Sequence, residues 1–291
     1  MMGMLTSRSY PPSAALAPYI TRHYIFSAAF PGDFELVDQL LAENALVRIL
    51  QLGDWAAEVE PGVWRDGRKV VLFGANSKPM RVRVRGAFRI IGFAFRPCGW
   101  RGLFHQPASE FANQMLPLAD IWGDAADRLY DHAAGLTEDA DIIAVVESEI
   151  VRRLDYIGTG QIDAAMRVFE SIARHDSKRQ VQDVVAHLGL SERQFERQCL
   201  IGFGHTPKLI LRRSRFLDMA TAIRGLGDPS DEELAALRYF DQSHRNREFR
   251  RFIGMTPSQF AHTPTPLFTA GLQFRLERKS DTKEDWTESI K

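Results

Sequence analysis

The chain has 291 residues, 45% of them hydrophobic and 25% charged. This is ordinary globular usage, enough for one large domain or two medium ones, and it excludes a chain that is disordered, collagenous or coiled-coil throughout. Lysine plus arginine and aspartate plus glutamate both number 37, so the formal net charge is zero and any affinity for nucleic acid must come from a local patch.

Only two cysteines occur, Cys98 and Cys199, too few for a disulfide framework or a cysteine-built zinc site, and a reducing, cytoplasmic setting is expected. The first twenty residues, MMGMLTSRSYPPSAALAPYI, lack the continuous apolar core of a signal peptide. No run reaches the roughly 18 apolar residues of a membrane span.

From Leu46 to Phe95 short apolar or alternating runs are broken by turn signals such as PG at Pro61, DG at Asp66 and GANSKP, which reads as strands. The run MRVRVR, Met80 to Arg85, alternates strictly. Val82 and Val84 should therefore share a buried strand face, with Arg81, Arg83 and Arg85 on the solvated one. Beyond the FRPCGW turn, Leu118 to Leu136 and Ile142 to Leu154 carry helical spacing. The first half should be a β-barrel or sandwich closed by helices. Trp55, Trp64, Phe73, Phe93, Phe95 and Trp100 could line a pocket there, although aromatics at strand positions more often fill the core.

From Gln161 to Phe260 the reading is almost entirely helical, and two segments repeat one grammar: a short helix, a turn, a polar and basic second helix, then Gly-x-x-Pro. The first is VQDVVAHLGLSERQFERQCLIGFGHTP; the second is SDEELAALRYFDQSHRNREFRRFIGMTP. In the first copy Val181, Val184, Val185 and Leu188 form an apolar stripe that Gly189 can end in the left-handed conformation. Ser191 should cap the next helix, with Phe195 and Cys199 inward and Glu192, Arg193, Glu196 and Arg197 outward. Such an outward face suits a major groove. Taken alone, it also suits a solvated helix laced with ion pairs. The connecting helix Pro207 to Gly225 adds Lys208, Arg212, Arg213 and Arg215, and Lys178 to His262 holds 14 basic and 10 acidic residues, a surplus of four.

The segments LGLSERQFERQ, GFGHTP, RRSRFLDMA and YFDQSHRNREFRRFIGMTPSQF make the carboxy-terminal hundred residues resemble the DNA-binding domain of the AraC family of transcription regulators. The resemblance implies two helix-turn-helix units held by the connecting helix, reading successive major-groove faces about 34 Å apart. By alignment, the base-contacting residues would be Arg193, Glu196 and Arg197 in the first unit and Gln242, Ser243, His244, Asn246 and Arg247 in the second; Lys208, Arg212, Arg250 and Arg251 would grip phosphate. Two positions depart from the family pattern. Arg238 stands where a turn glycine is usual, and Arg245 stands where an apolar residue is usual, in line with Phe249 and Phe252. A lone guanidinium buried there would be costly, so Arg245 should snorkel, or the helix should turn or pack loosely.

The segments FRPCGWRGLFHQPASEFANQMLPLADIWG and VLFGANSKPM resemble, more loosely, the cupin-like sensing domain often found ahead of this module. The fold class is then α+β: residues 1–158 a β-rich sensing or dimerisation domain, residues 159–262 an all-α tandem helix-turn-helix domain, and residues 263–291, rich in charge and poor in apolar anchors, a flexible tail. The implied partners are double-stranded DNA, a small-molecule effector, a second copy of the chain, and RNA polymerase if the protein activates. No membrane, cofactor or metal is implied. Catalysis has no candidate constellation: His23, His105 and His132 are scattered, and hydrolase-elbow, phosphate-loop and Cys-x-x-Cys motifs do not occur. The alternative is a small-molecule-binding protein or degenerate enzyme whose helical half has lost DNA contact.

Overall fold

A computed structural model describes residues 5–67, 69–158, 160, 162–227 and 242–281. Its first half is built on two long antiparallel strands, β4 (Leu46–Glu60) and β7 (Arg81–Phe95), paired from Leu46 opposite Ala94 to Ala57 opposite Val82. At one end β2 (Ile20–Ala28) flanks β7 and β6 (Val70–Phe73) flanks β4; β1 (Leu5–Tyr10) and β8 (Met115–Pro117) extend this layer outward. At the other end β3 (Glu35–Gln39) pairs with β7 and β5 (Val63–Asp66) with β4.

The long ladder bends where each strand carries a left-handed glycine, Gly53 at φ +99° and Gly86 at φ +59°. Any side chain at Gly53 would bring its Cβ to 2.5 Å from the Ala87 carbonyl oxygen. Register shifts between Leu50 and Asp54 insert the odd residue that reverses face: Leu46 points inward before the bulge, whereas Trp55 and Ala57 do so after it. Tyr24, Phe26, Phe73, Trp55, Val82 and Val84 thereby meet in one inner cluster. The arginines of MRVRVR lie outside: Arg81 and Arg83 sit over the Trp64 ring and Arg85 pairs with Glu35 at 2.7 Å.

The opposite face packs on helices. Val47, Ile49, Ile91, Phe93 and Phe95 meet Trp100 and Phe104, together with α1 (Ala119–Trp122), α2 (Asp124–Ala134) and α3 (Asp139–Ile157). Of the six aromatics considered as a pocket lining, Phe93, Phe95 and Trp100 belong to this helix-backed core, Trp55 and Phe73 face inward, and Trp64 lies at the surface.

The second half comprises α4 (Ala164–His175), α5 (Val181–Leu188), α6 (Glu192–Gly202), the connector α7 (Pro207–Ile223), α8 (Gln242–Ile253), α9 (Pro257–His262) and α10 (Pro266–Asp281). The connector joins two cores. Ile210 and Leu211 pack with Phe169, Val184, Phe195 and Cys199, whereas Phe216, Leu217 and Ala220 pack with Phe249, Phe252 and Phe260.

Over residues 266–281, helix α10 corrects the expectation of a flexible tail at 263–291, of which residues 282–291 lie outside the described residues. Pro266 opens the helix, where a missing amide proton costs nothing, and the spacing of the next residues gives it two apolar faces. Leu267, Ala270 and Phe274 enter the inner cluster of the first domain, while Phe268 and Leu272 join the core around α7 and α8. Its first turn is held by Asp38 of β3, whose Oδ2 accepts from Leu267 N at 2.7 Å and Phe268 N at 3.3 Å.

Candidate nucleic-acid interface

The first helix-turn-helix unit forms as its sequence requires. Gly189 ends α5 at φ +63°, and Ser191 caps α6 reciprocally with Gln194: Gln194 N donates to Ser191 Oγ at 3.3 Å and Ser191 N donates to Gln194 Oε1 at 3.0 Å. Phe195 and Cys199 are fully buried, and Arg193, Glu196 and Arg197 are exposed. All three therefore share the outward side of one recognition helix.

In the second unit, residues 228–241 lie outside the described residues, and Arg238 with them. Helix α8 carries the expected contacts. Gln242, Ser243, Arg247, Arg250 and Arg251 are exposed, His244 and Asn246 half-buried, and Phe249, Phe252 and Ile253 buried. Arg245 is half-buried, and its Nε is enclosed with no hydrogen-bond partner among the described residues. The side chain is thus neither fully buried in line with Phe249 and Phe252 nor fully exposed.

The basic residues of the connector do not act as one patch. Lys208 is exposed. Arg212, expected to hold phosphate, instead forks onto Glu248 of α8, with Nε to Oε2 at 3.1 Å and a second, shorter contact to Oε1. Glu248 is 1% exposed, and a buried carboxylate demands a cation; sequence reasoning missed it because Glu248 reads as one more polar position of a recognition helix. Arg215 donates to the Ser177 carbonyl at 2.6 Å. Arg213 is buried and turns toward the first domain.

Both Gly-x-x-Pro turns abut that domain. At the first, Gly204 takes φ +74° beside Ala108, and a Cβ on Gly202 would fall 2.4 Å from the Pro97 carbonyl oxygen. His205 Nε2 donates to the Ala75 carbonyl at 3.0 Å; burial, reinforced by Arg213, lowers its pKa to about 4, so the ring is neutral. At the second turn, Gly254 at φ +76° lies against Pro79. The carboxy-terminal end of each recognition helix thus leans on the first domain. Arg193, at the far end of α6, is about 14 Å along the axis from the Gly202 contact.

Neither cysteine is a poised thiol. Burial pushes the Cys98 pKa up to about 11 and raises that of Cys199 as well, which suppresses the reactive thiolate. Among the described residues no group of three or more His, Cys, Asp or Glu is placed to hold a metal, and no helix is long and apolar enough to cross a membrane.

Residues 184–263 match a family described as a helix-turn-helix domain. The carboxy-terminal half thus carries a helix-turn-helix domain. Residues 8–117 match a separate family, described as a domain of unknown function. ToxT from Vibrio cholerae O395 is similar at 10% identity and a TM-score of 0.45, over 88% of this chain and 96% of that one. Unsaturated-fatty-acid-bound ToxT from Vibrio cholerae strain SCE256 is similar at 11% identity and a TM-score of 0.44, over 90% and 95%. The AraC-like transcriptional activator CuxR is similar at 14% identity and a TM-score of 0.29, over 74% and 94%. No curated protein matches the chain.

Proposed function

We propose that this chain is an AraC-type transcription regulator that binds double-stranded DNA sequence-specifically and whose first domain adjusts the reader in response to a small molecule. The observation that carries the reading is the exposure of Arg193, Glu196 and Arg197 on a helix whose opposite end is docked on the first domain. A ligand or partner that shifts this docking shifts the recognition helices with it.

Base choice falls chiefly to Arg193, Glu196 and Arg197, while Gln242, Ser243, His244, Asn246 and Arg247 bring the second unit onto the duplex with little base choice of their own. Lys208, Arg250 and Arg251 set position on the phosphates. The half-buried His244 and Asn246, beside the atypical Arg245, support a second unit that grips more than it reads. The test is retardation of fragments from the protein's own promoter region against unrelated DNA of equal length, across a salt series. Preferential retardation that weakens steeply with salt is expected; equal or salt-independent retardation overturns the proposal.

A further inference from the structure

Arg22 of β2 and Arg48 of β4 reach the same interior space from opposite sides of β7. Between them lies Gly92, paired with Tyr24 on one side and Arg48 on the other. A Cβ at Gly92 would fall 2.2 Å from Tyr24 Cζ, so only glycine lets the tyrosine ring cross β7. Its hydroxyl then accepts a 3.3 Å hydrogen bond from Arg48 Nε. The Arg48 guanidinium lies 4.7 Å from the Trp55 ring centre, and that of Arg22 lies 4.8 Å from the ring centre of Phe274 on α10.

This polar set is not satisfied among the described residues. Nε and Nη1 of Arg22, Nη1 of Arg48, the indole N–H of Trp55 and Oε1 of Gln39 are all enclosed without a hydrogen-bond partner among the described residues. All four side chains line one cavity of about 40 Å³. Arg22 and Trp55 are 3% exposed. Enclosed donors of this kind are costly and call for a counterpart. A group that complements two guanidinium forks and an indole N–H is an anion rich in acceptors. Glu43 Oε2, 3.3 Å from Arg22 Nη2, already offsets one of the two positive charges. Glu43 also faces the buried Arg213 and Arg278, so positive charge is left in excess around the cavity and favours an anion. The cavity has room for a carboxylate head rather than for a whole ligand. One of its walls is α10, through Leu267, Ala270 and Phe274.

We propose that the interior of the first domain binds a small monocarboxylate with an apolar or aromatic body, its head held by Arg22, Arg48 and Trp55 and its body packed against α10. Occupancy reaches the reader through α10. Arg275 holds Ser214 Oγ and Asp218 of the connector at 2.7 and 2.9 Å, and Arg278 holds Glu170 of α4 at 3.3 Å. The binding site stands apart from the DNA-binding reading; its effect on the reader rests on that reading.

Titrating full-length protein with sodium benzoate, followed by calorimetry and tryptophan emission at constant ionic strength, tests the site. Saturable binding is expected, with an emission change that Trp55→Phe removes. Benzyl alcohol and inorganic phosphate should bind at least about tenfold more weakly, and Arg48→Met should weaken benzoate by a similar factor while the protein remains folded. Ala270→Met, which fills the space from α10 and leaves both arginines in place, should also block benzoate, and it serves if Arg48→Met does not fold. No saturable benzoate binding, binding that survives both substitutions, or equal binding of benzyl alcohol or phosphate overturns the proposal. Promoter-fragment retardation measured with and without benzoate separates the two readings. DNA binding without benzoate binding sinks this site alone, and benzoate binding without DNA binding sinks the regulator alone.

Discussion

Arg213 of the connecting helix and Asn44 of the first domain are joined by a 2.6 Å hydrogen bond from the arginine Nη2 to the asparagine Oδ1. The other terminal nitrogen, Nη1, donates to the Glu43 carbonyl at 2.8 Å. Burial lowers the Arg213 pKa only to about 10, so the guanidinium stays charged near neutrality. This contact fastens the reader at the middle of its rod. Replacing Arg213 with Met removes the donor from three acceptors, the Glu43 and Asn76 carbonyls and Asn44 Oδ1, and a loss of about 2–3 kcal/mol is expected in urea unfolding. A loss below about 0.5 kcal/mol would show that the joint contributes little.

The two recognition helices should respond differently to alanine. Arg193→Ala and Arg197→Ala remove exposed forks from α6, so each should cost about 1–3 kcal/mol of operator affinity and relax the preference at one base position. Asn246→Ala, at a half-buried position on α8, should weaken operator and unrelated DNA alike. Binding-site selection with each variant decides the matter. If preference survives the Arg193 and Arg197 changes and vanishes with Asn246, the division of labour is reversed.

Phosphate contacts separate from structural arginines by their salt signature. Lys208, Arg250 and Arg251 are exposed, and each change to Gln should lower the slope of log K against log salt by about 0.9. Arg212→Gln should leave that slope unchanged and instead destabilise the fold by about 1–3 kcal/mol, because Glu248 is left buried without its cation. Salt titrations and urea unfolding on the same four variants give both quantities.

The parts legible in the sequence are those governed by neighbours along the chain. The cap at Ser191, the buried pair Phe195 and Cys199, the glycine stop at Gly189 and the alternation of MRVRVR all follow from residues within one or two turns. What escaped depends on distant partners. Asp38 holds the first turn of α10 from 229 positions away, so the tail read as unanchored when its anchor was a strand of the other domain. Glu248 looks like a groove-facing polar residue until the connector supplies Arg212. No neighbour along the chain marks Arg22 or Arg48, and only the curl of the sheet turns them inward. Arg245 shows the limit from the other side, since spacing announced the conflict without choosing how the side chain would resolve it.

Two buried carboxylates should give opposite pH dependences where the domains meet. Burial alone would raise the pKa of Glu170, but Arg96, Arg174 and Arg278 hold it down to about 2; its contribution is present above the unfolded value near 4.5 and is lost as pH falls from there toward 2. Asp38 is raised to about 6 by burial, although the amides of Gln39, Leu267 and Phe268 pull the other way. Between about pH 4 and 6 the folded state therefore binds a proton that the unfolded state has released, and stability falls as pH rises through this window. Asp38→Asn removes that titration. The stability of the variant relative to the natural protein should rise by about 2 kcal/mol between pH 4.5 and 7.5, measured by urea unfolding at both values. A constant difference would mean that Asp38 titrates in its ordinary range and that the start of α10 is less enclosed than its contacts imply.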